Sequence, residues 1–242
     1  MDDIGEVLFS ARSFDEYRAM FALMDGDLTG RVLDCPGGAA SFTAEALDRG
    51  VDAVAVDPRY ADDRALLAEL AGRDTVRGND FLRDPVRATR FVWTYFDSPD
   101  DHLAQRGEAA RRFAADLGRS GRSGRSGRSG RYVAAALPQL PFADSNFDLV
   151  LSSHFLFTYA ERLDLAFHGA ALRELHRVCR GQVRVFPLLG HTDGRPYSEL
   201  DAVRHRLDRF GVGSEIRRVD YEFQAGGDQM LVLHRASPHQ RD

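Results

Sequence analysis

The residues best suited to chemistry are two acids and a glycine pair near the N-terminal end. Val32-Leu33-Asp34-Cys35-Pro36-Gly37-Gly38-Ala39-Ala40-Ser41-Phe42 reads as a strand, a glycine turn and a helix start. Such a turn lets a ligand approach the backbone closely and aims helix N–H groups at it. The pattern is not GxGxxG, so it gives no support to a dinucleotide pyrophosphate site. Asp57 ends the second strand, Ala53–Val56, 23 residues after Asp34. A carboxylate there can accept two hydrogen bonds from a ribose diol. Asp57 stands before Pro58, where it would also serve as a plain cap.

The elements that must position these residues alternate. Ser13-Phe14-Asp15-Glu16 has the form of a capping box, and an N-terminal helix is expected over about 13–25, with Tyr17, Met20, Phe21 and Met24 at helical spacing. Helices are also expected around 42–49 and from Leu66 onward. Ser98-Pro99-Asp100-Asp101 starts another, with a serine cap, proline at the first position and acids at the positive end of the dipole. The aromatic cluster Phe91–Phe96 reads as helix or strand, with helix preferred, so that 75–117 is expected as a helical insertion. Further strands are expected at Tyr132–Ala136, Phe147–Leu151 and Val183–Phe186. Two closing strands, Glu215–Phe223 and Gln229–His234, would form a hairpin through Ala225-Gly226-Gly227-Asp228. Alternating strands and helices imply a parallel sheet covered on both faces. The expected fold is therefore α/β: a Rossmann-like, seven-stranded, mostly parallel sheet with an antiparallel last strand, in a single domain over 1–242.

The 242 residues are 43% hydrophobic and 29% charged, as in an ordinary globular chain. No apolar run approaches the roughly 20 residues that span a bilayer, and the acidic start lacks a secretory signal, so a cytoplasmic chain without a membrane partner is expected. Cys35 and Cys179 form no metal-ligand pattern, so no metal is expected and both are read as reduced buried thiols. All 32 basic residues are arginine and the net charge is −5. Residues 118–131 repeat Gly-Arg-Ser and read as a flexible loop carrying five arginines. The repeat has no aromatic residue for base stacking, and the chain outside it is acidic, which argues against a nucleic-acid partner.

Leu140-Pro141-Phe142-Ala143-Asp144-Ser145-Asn146-Phe147-Asp148-Leu149-Val150 carries a resemblance. With the Asp34–Gly38 turn and Asp57, it resembles class I S-adenosylmethionine-dependent methyltransferases over about residues 30–235. Ser153-His154-Phe155-Leu156-Phe157 and Tyr221-Glu222-Phe223-Gln224 bring it nearest an uncharacterised bacterial and archaeal subgroup. The resemblance implies S-adenosylmethionine as cofactor. It also implies that Asp34, Gly37 and Gly38 surround the methionine part, Asp57 holds the ribose, and Ser152 and Ser153 face the cofactor edge. Pro36 and Ala40 stand where the family commonly has glycines. The family's adenine-binding acid maps to Ala136, which leaves backbone near Leu137 or Asp80 for that task. The segment after the fourth strand lies beside the transferred methyl in this fold. His154 is therefore the candidate base, Tyr159 the group that positions the acceptor, and His168 a weaker candidate. Residues 84–117 are expected as a lid over a small-molecule acceptor. Three other readings have their own signatures. A non-catalytic cofactor-binding protein would bind without turnover, and an RNA methyltransferase would use the repeat as a clamp. A nicotinamide oxidoreductase is disfavoured by the glycine pattern.

Overall fold

The computed structural model describes residues 7–120 and 130–235. Seven strands form one sheet: β1 (Val32–Asp34), β2 (Ala53–Val56), β3 (Tyr132–Val133), β4 (Phe147–Ser153), β5 (Cys179–Phe186), β6 (Val212–Arg218) and β7 (Gln229–Arg235). Their order is β3-β2-β1-β4-β5-β7-β6. The first five run parallel, and β7 lies antiparallel between β5 and β6. The expected sheet is thus present, with its antiparallel strand inserted next to the last.

Alternating side chains divide the core between the two faces. Val32, Leu149, Leu151 and Val232 face α1 (Phe14–Met20) and α2 (Phe42–Asp48), where Phe14, Tyr17 and Phe42 stack. Leu33, Val150, Val183 and Leu231 face α6 (Leu165–Val178) and α7 (Leu200–Asp208). Cys35 and Cys179 are free and buried.

Between β2 and β3 the chain forms α3 (Arg64–Arg83), α4 (Pro85–Ala88) and α5 (Pro99–Ser120). Ser98 caps α5 by accepting from the Asp101 N–H at 3.1 Å. Phe113, Ala110 and Leu117 of α5 pack on Leu67, Leu70 and Ala71 of α3 in a third cluster.

Several expectations change. The first helix ends at Met20, and Ala22 turns the chain at φ 47°. Phe91–Phe96 is not helical. Phe91 bridges Gln224 and the Val92 N–H donates to Phe223, so packing against the β6–β7 connection overrides the local preference. That connection spans 219–228 rather than a tight turn, because β6 already ends at Arg218. The third strand is two residues long. Gly118 and Arg119 belong to α5 rather than to a loop, and Arg119 pairs with buried Asp116 at 3.2 Å. Residues 121–129 of the repeat lie outside the described residues.

Candidate functional site

Two adjoining cavities open at the C-terminal ends of the parallel strands, where ligands gather in open α/β sheets. The larger, about 500 Å³, lies over the β1 and β2 ends and is lined by Gly37, Gly38, Asp57, Ala136, Ser153 and His154 among others. The second, about 130 Å³, lies between the segment after β4 and the α3–α5 insertion. Leu8, Ser10, Arg12 and His154 line both.

The glycine turn shapes the floor of the larger cavity. A Cβ on Gly37 would come within 2.7 Å of the Tyr60 hydroxyl and 2.8 Å of Ala55 Cβ, so only glycine lets the turn pass this close to β2. Gly38 sits at φ +52° and its N–H donates to Asp57 Oδ2 at 3.1 Å. The Arg59 N–H donates to the other Asp57 oxygen at 2.9 Å. Each oxygen keeps a further acceptor position. Burial raises the Asp57 carboxyl above its ordinary range, with these two backbone bonds opposing.

Asp34 lies one layer lower. It is buried and accepts from the Tyr17 hydroxyl at 3.0 Å, and Tyr17 rather than Asp34 lines the cavity. Burial pushes the Asp34 carboxyl well up; the Tyr17 hydrogen bond opposes this and the nearby Asp57 adds to it. Two buried carboxylates held this way want hydroxyl donors and a positive charge, which fits a cofactor carrying a ribose diol and a sulfonium.

Ser153 lines the larger cavity, and its hydroxyl lies 2.9 Å from His154 Nδ1. Ser152 does not reach the cavity; it is fully buried and its hydroxyl has no partner among the described residues. Ala135, Ala136 and Leu137 supply backbone at the adenine end, whereas Asp80 is exposed on α3 and lines neither cavity.

His154 leaves β4 at φ 47°, a conformation that non-glycine residues seldom adopt, and its N–H donates to Phe186 at 2.7 Å. This bend sets the ring at the junction of the cavities. Burial, then the charges of Arg12 and Arg106, drive its pKa well below 6.5, so the imidazole is neutral at physiological pH. Tyr159 lines the smaller cavity. Its hydroxyl accepts from the Leu8 N–H at 3.1 Å, and its pKa is raised by burial. His168 lies in neither cavity; its two ring nitrogens face the carbonyls of Asp164 and Leu156 at 2.9 Å each.

Residues 84–117, expected as a lid, contribute Phe91, His102 and Arg106 to the wall of the smaller cavity. Segment 7–12 roofs both cavities and is tied down at four points. Leu8 N–H donates to Tyr159, Phe9 N–H to Asp74 at 2.9 Å, and the carbonyls of Ser10 and Arg12 accept from Ala39 and Ser41.

Sequence reading also missed a charged shell behind the smaller cavity. Arg106, 6% exposed, donates to Glu16 at 2.7 Å, and the Tyr221 hydroxyl donates to the same Glu16 oxygen at 2.9 Å. Glu16 therefore does not complete the capping box, although Ser13 caps its N–H. His102 lies between the Arg106 Nε and the Asn79 amide, at 3.2 and 3.1 Å, and stacks on Phe223. Burial, with the positive charge of Arg106 and Arg12, lowers its pKa to about 2. The sign for stability follows. The unfolded chain takes up this proton below about pH 6.5 and the folded chain does not, so acid favours unfolding. Unfolding free energy should fall by about 1 kcal/mol per pH unit below 6.5 from His102 alone. Urea melts from pH 7 to 5 should show this slope reduced in His102→Gln; an unchanged slope would refute it.

The order of the strands, with β7 reversed between β5 and β6, decides the fold class, and residues 101–186 match the methyltransferase domain family. The fold is that of the class I methyltransferases. A relative of this methyltransferase-fold chain, an uncharacterised protein of Methanocaldococcus jannaschii, is 27% identical over 236 residues, covering 96% of this chain and 98% of the relative. Two solved methyltransferases are similar at lower identity. The magnesium protoporphyrin IX methyltransferase of Synechocystis, with bound S-adenosylmethionine, is 14% identical at a TM-score of 0.47, over 92% of this chain and 78% of that one. The 1,6-didemethyltoxoflavin-N1-methyltransferase of Burkholderia thailandensis, with bound S-adenosylhomocysteine, is 15% identical at 0.43, over 86% and 72%. Among the described residues no acid, histidine and cysteine cluster could hold a metal, and no helix is long and apolar enough to cross a membrane.

Proposed function

We propose that this chain is an S-adenosylmethionine-dependent methyltransferase acting on a small-molecule acceptor. The observation that carries the reading is the pair of adjoining cavities with His154 at their junction. Asp57 would hold the ribose hydroxyls, and Gly37 and Gly38 leave room for the methionine part. Asp34, buried beneath the turn, would hold Tyr17 in place against the cavity. Backbone at Ala135–Leu137 would flank the adenine. When bound, the cofactor supplies an activated methyl on a sulfonium, so the protein's work is alignment and exclusion of water. The tied-down segment 7–12 and the aromatic wall exclude water from the smaller cavity. His154, neutral and half-buried, can accept the proton of an O–H or N–H nucleophile, and Tyr159 can position the acceptor beside it.

The test is labelled-methyl incorporation into a metabolite extract by the wild type and by His154→Ala. The expected result is a methylated small molecule and a drop of about a hundredfold in the variant. Wild-type activity retained in His154→Ala would remove the base assignment. Cofactor binding with no incorporation would identify a binding protein.

A separate experiment tests for an RNA acceptor held by the repeat. Gly-Arg-Ser offers no apolar anchor, and loop length adds closure cost only slowly. Deleting 121–129 should leave the melting temperature and cofactor affinity nearly unchanged. A drop of several degrees, or loss of a salt-dependent RNA affinity, would give the repeat a role.

A further inference from the structure

The Ser153 hydroxyl and Nδ1 of His154 lie 2.9 Å apart, and either group can donate to the other. The direction fixes the tautomer. If the hydroxyl donates, Nδ1 accepts and the ring proton sits on Nε2; if Nδ1 donates, Nε2 keeps its lone pair. Burial, with the charges of Arg12 and Arg106, keeps the ring neutral, so it carries a single proton on one nitrogen or the other. Nε2 has no hydrogen-bond partner among the described residues. Within the chain the hydroxyl has two acceptors in reach. One is Nδ1; the other is Sδ of Met20 at 4.0 Å, a weak acceptor at the limit of contact. Water in the cavity can donate or accept and imposes no choice. The chain's own groups therefore favour a hydroxyl that donates to Nδ1 and a ring protonated on Nε2.

That tautomer is the wrong one for a base. With Nδ1 taken by Ser153, the nitrogen left for a methyl acceptor is Nε2, and it needs its lone pair to receive a proton. Nδ1 must then donate to the serine oxygen, and the hydroxyl must turn its own proton elsewhere. Ser153 lines the larger cavity and not the smaller one, whereas His154 lines both. The new partner of the hydroxyl must therefore come from the larger cavity. We propose that Ser153 is a positioning residue that couples the two cavities: an acceptor atom of the bound cofactor receives the serine hydrogen bond, the serine oxygen accepts from Nδ1–H, and Nε2 is freed to act as base. S-adenosylmethionine carries groups that only accept, among them its carboxylate and the ribose ring oxygen. The change is neutral in protons. Nε2 gives one to water and Nδ1 gains one, while the serine keeps its own and only turns its O–H. The imidazole need not move, since the bend at φ 47° and the His154 N–H bond to Phe186 hold its backbone. The base is thus armed only when the methyl donor is in place. The inference rests on the methyltransferase reading, since it takes the larger cavity as the cofactor's.

Nitrogen NMR of the full chain, labelled with ¹⁵N at histidine, reads the tautomer directly and needs no methyl acceptor. The His154 signals are assigned by their loss in His154→Gln. Spectra are taken at neutral pH, without ligand and with saturating S-adenosylhomocysteine, whose binding is measured by calorimetry. The expected result is a neutral ring protonated on Nε2 in the free protein and on Nδ1 in the saturated one. Ser153→Ala should bind S-adenosylhomocysteine roughly two- to tenfold more weakly, the effect of one hydrogen bond. Its ring should show the same tautomer free and saturated. The wild-type spectra alone suffice if the alanine variant fails to fold. No binding of S-adenosylhomocysteine to the wild type overturns the methyltransferase reading and this inference with it. Binding that leaves the tautomer unchanged, a free protein already protonated on Nδ1, or a change that persists in Ser153→Ala overturns the coupling alone. So does unaltered affinity in Ser153→Ala.

Discussion

Asp57→Ala is expected to weaken binding of S-adenosylmethionine and of its demethylated product by at least tenfold. The carboxylate is 7% exposed, lines the larger cavity, and already has its first acceptor position on each oxygen filled by Gly38 and Arg59. Those two backbone bonds fix its plane, so the remaining lone pairs are preorganised for a diol. Losing two hydrogen bonds to a charged acceptor costs on the order of 2–4 kcal/mol. The substitution also frees the Gly38 N–H and slackens the turn, which acts in the same direction. Asp57→Asn separates the two effects. It keeps one carbonyl oxygen for the turn and should lose less affinity than alanine. Titration calorimetry of the wild type and both variants is the measurement; equal affinity in Asp57→Ala would show that the ribose is held elsewhere.

This part of the site was legible because strand, turn and acid lie close in sequence and obey local rules. Gly37, Gly38 and Asp57 are positioned by two short strands whose apolar runs announce themselves. The same is true of the sheet as a whole, since a strand buried on both faces can hardly avoid a run such as Ala53–Val56. The smaller cavity was not legible. Arg12, Asp74, His102 and Arg106 come from three separate segments and meet only because segment 7–12 crosses the sheet end and α3 packs on α5. Nothing in the spacing of Arg12 and Asp74 marks them as lining one cavity. Glu16 misled for a physical reason: the Ser-x-x-Glu pattern is satisfied locally by Ser13, but a buried arginine competes for the carboxylate and wins. Phe91–Phe96 misled because aromatic residues fit helix or sheet equally, and only the β6–β7 connection chooses between them.

Glu16 is also where the largest loss of stability is expected. It is 2% exposed and its carboxylate faces Arg106 at 2.7 Å, Tyr221 at 2.9 Å and Arg12 at 3.5 Å. Removing one partner of a buried ion pair leaves the other charge without compensation, and such truncations cost about 3–5 kcal/mol. Glu16→Ala strands Arg106, itself 6% exposed, with Ala11 carbonyl and the His102 ring as its remaining neighbours. Against a typical domain stability of roughly 5–15 kcal/mol this is a large fraction, and expression at 37 °C should suffer. The double variant Glu16→Ala with Arg106→Met gives the sharper test. Removing both charges also removes the desolvation they impose, so the double variant should be more stable than Glu16→Ala alone, despite carrying more changes. Urea unfolding of the wild type, the single variant and the double variant measures this directly. If the single variant loses less than about 1 kcal/mol, water or Arg12 relieves the stranded charge. If the double variant is the least stable, Arg106 holds α5 to segment 7–12 by its contact with the Ala11 carbonyl rather than by charge.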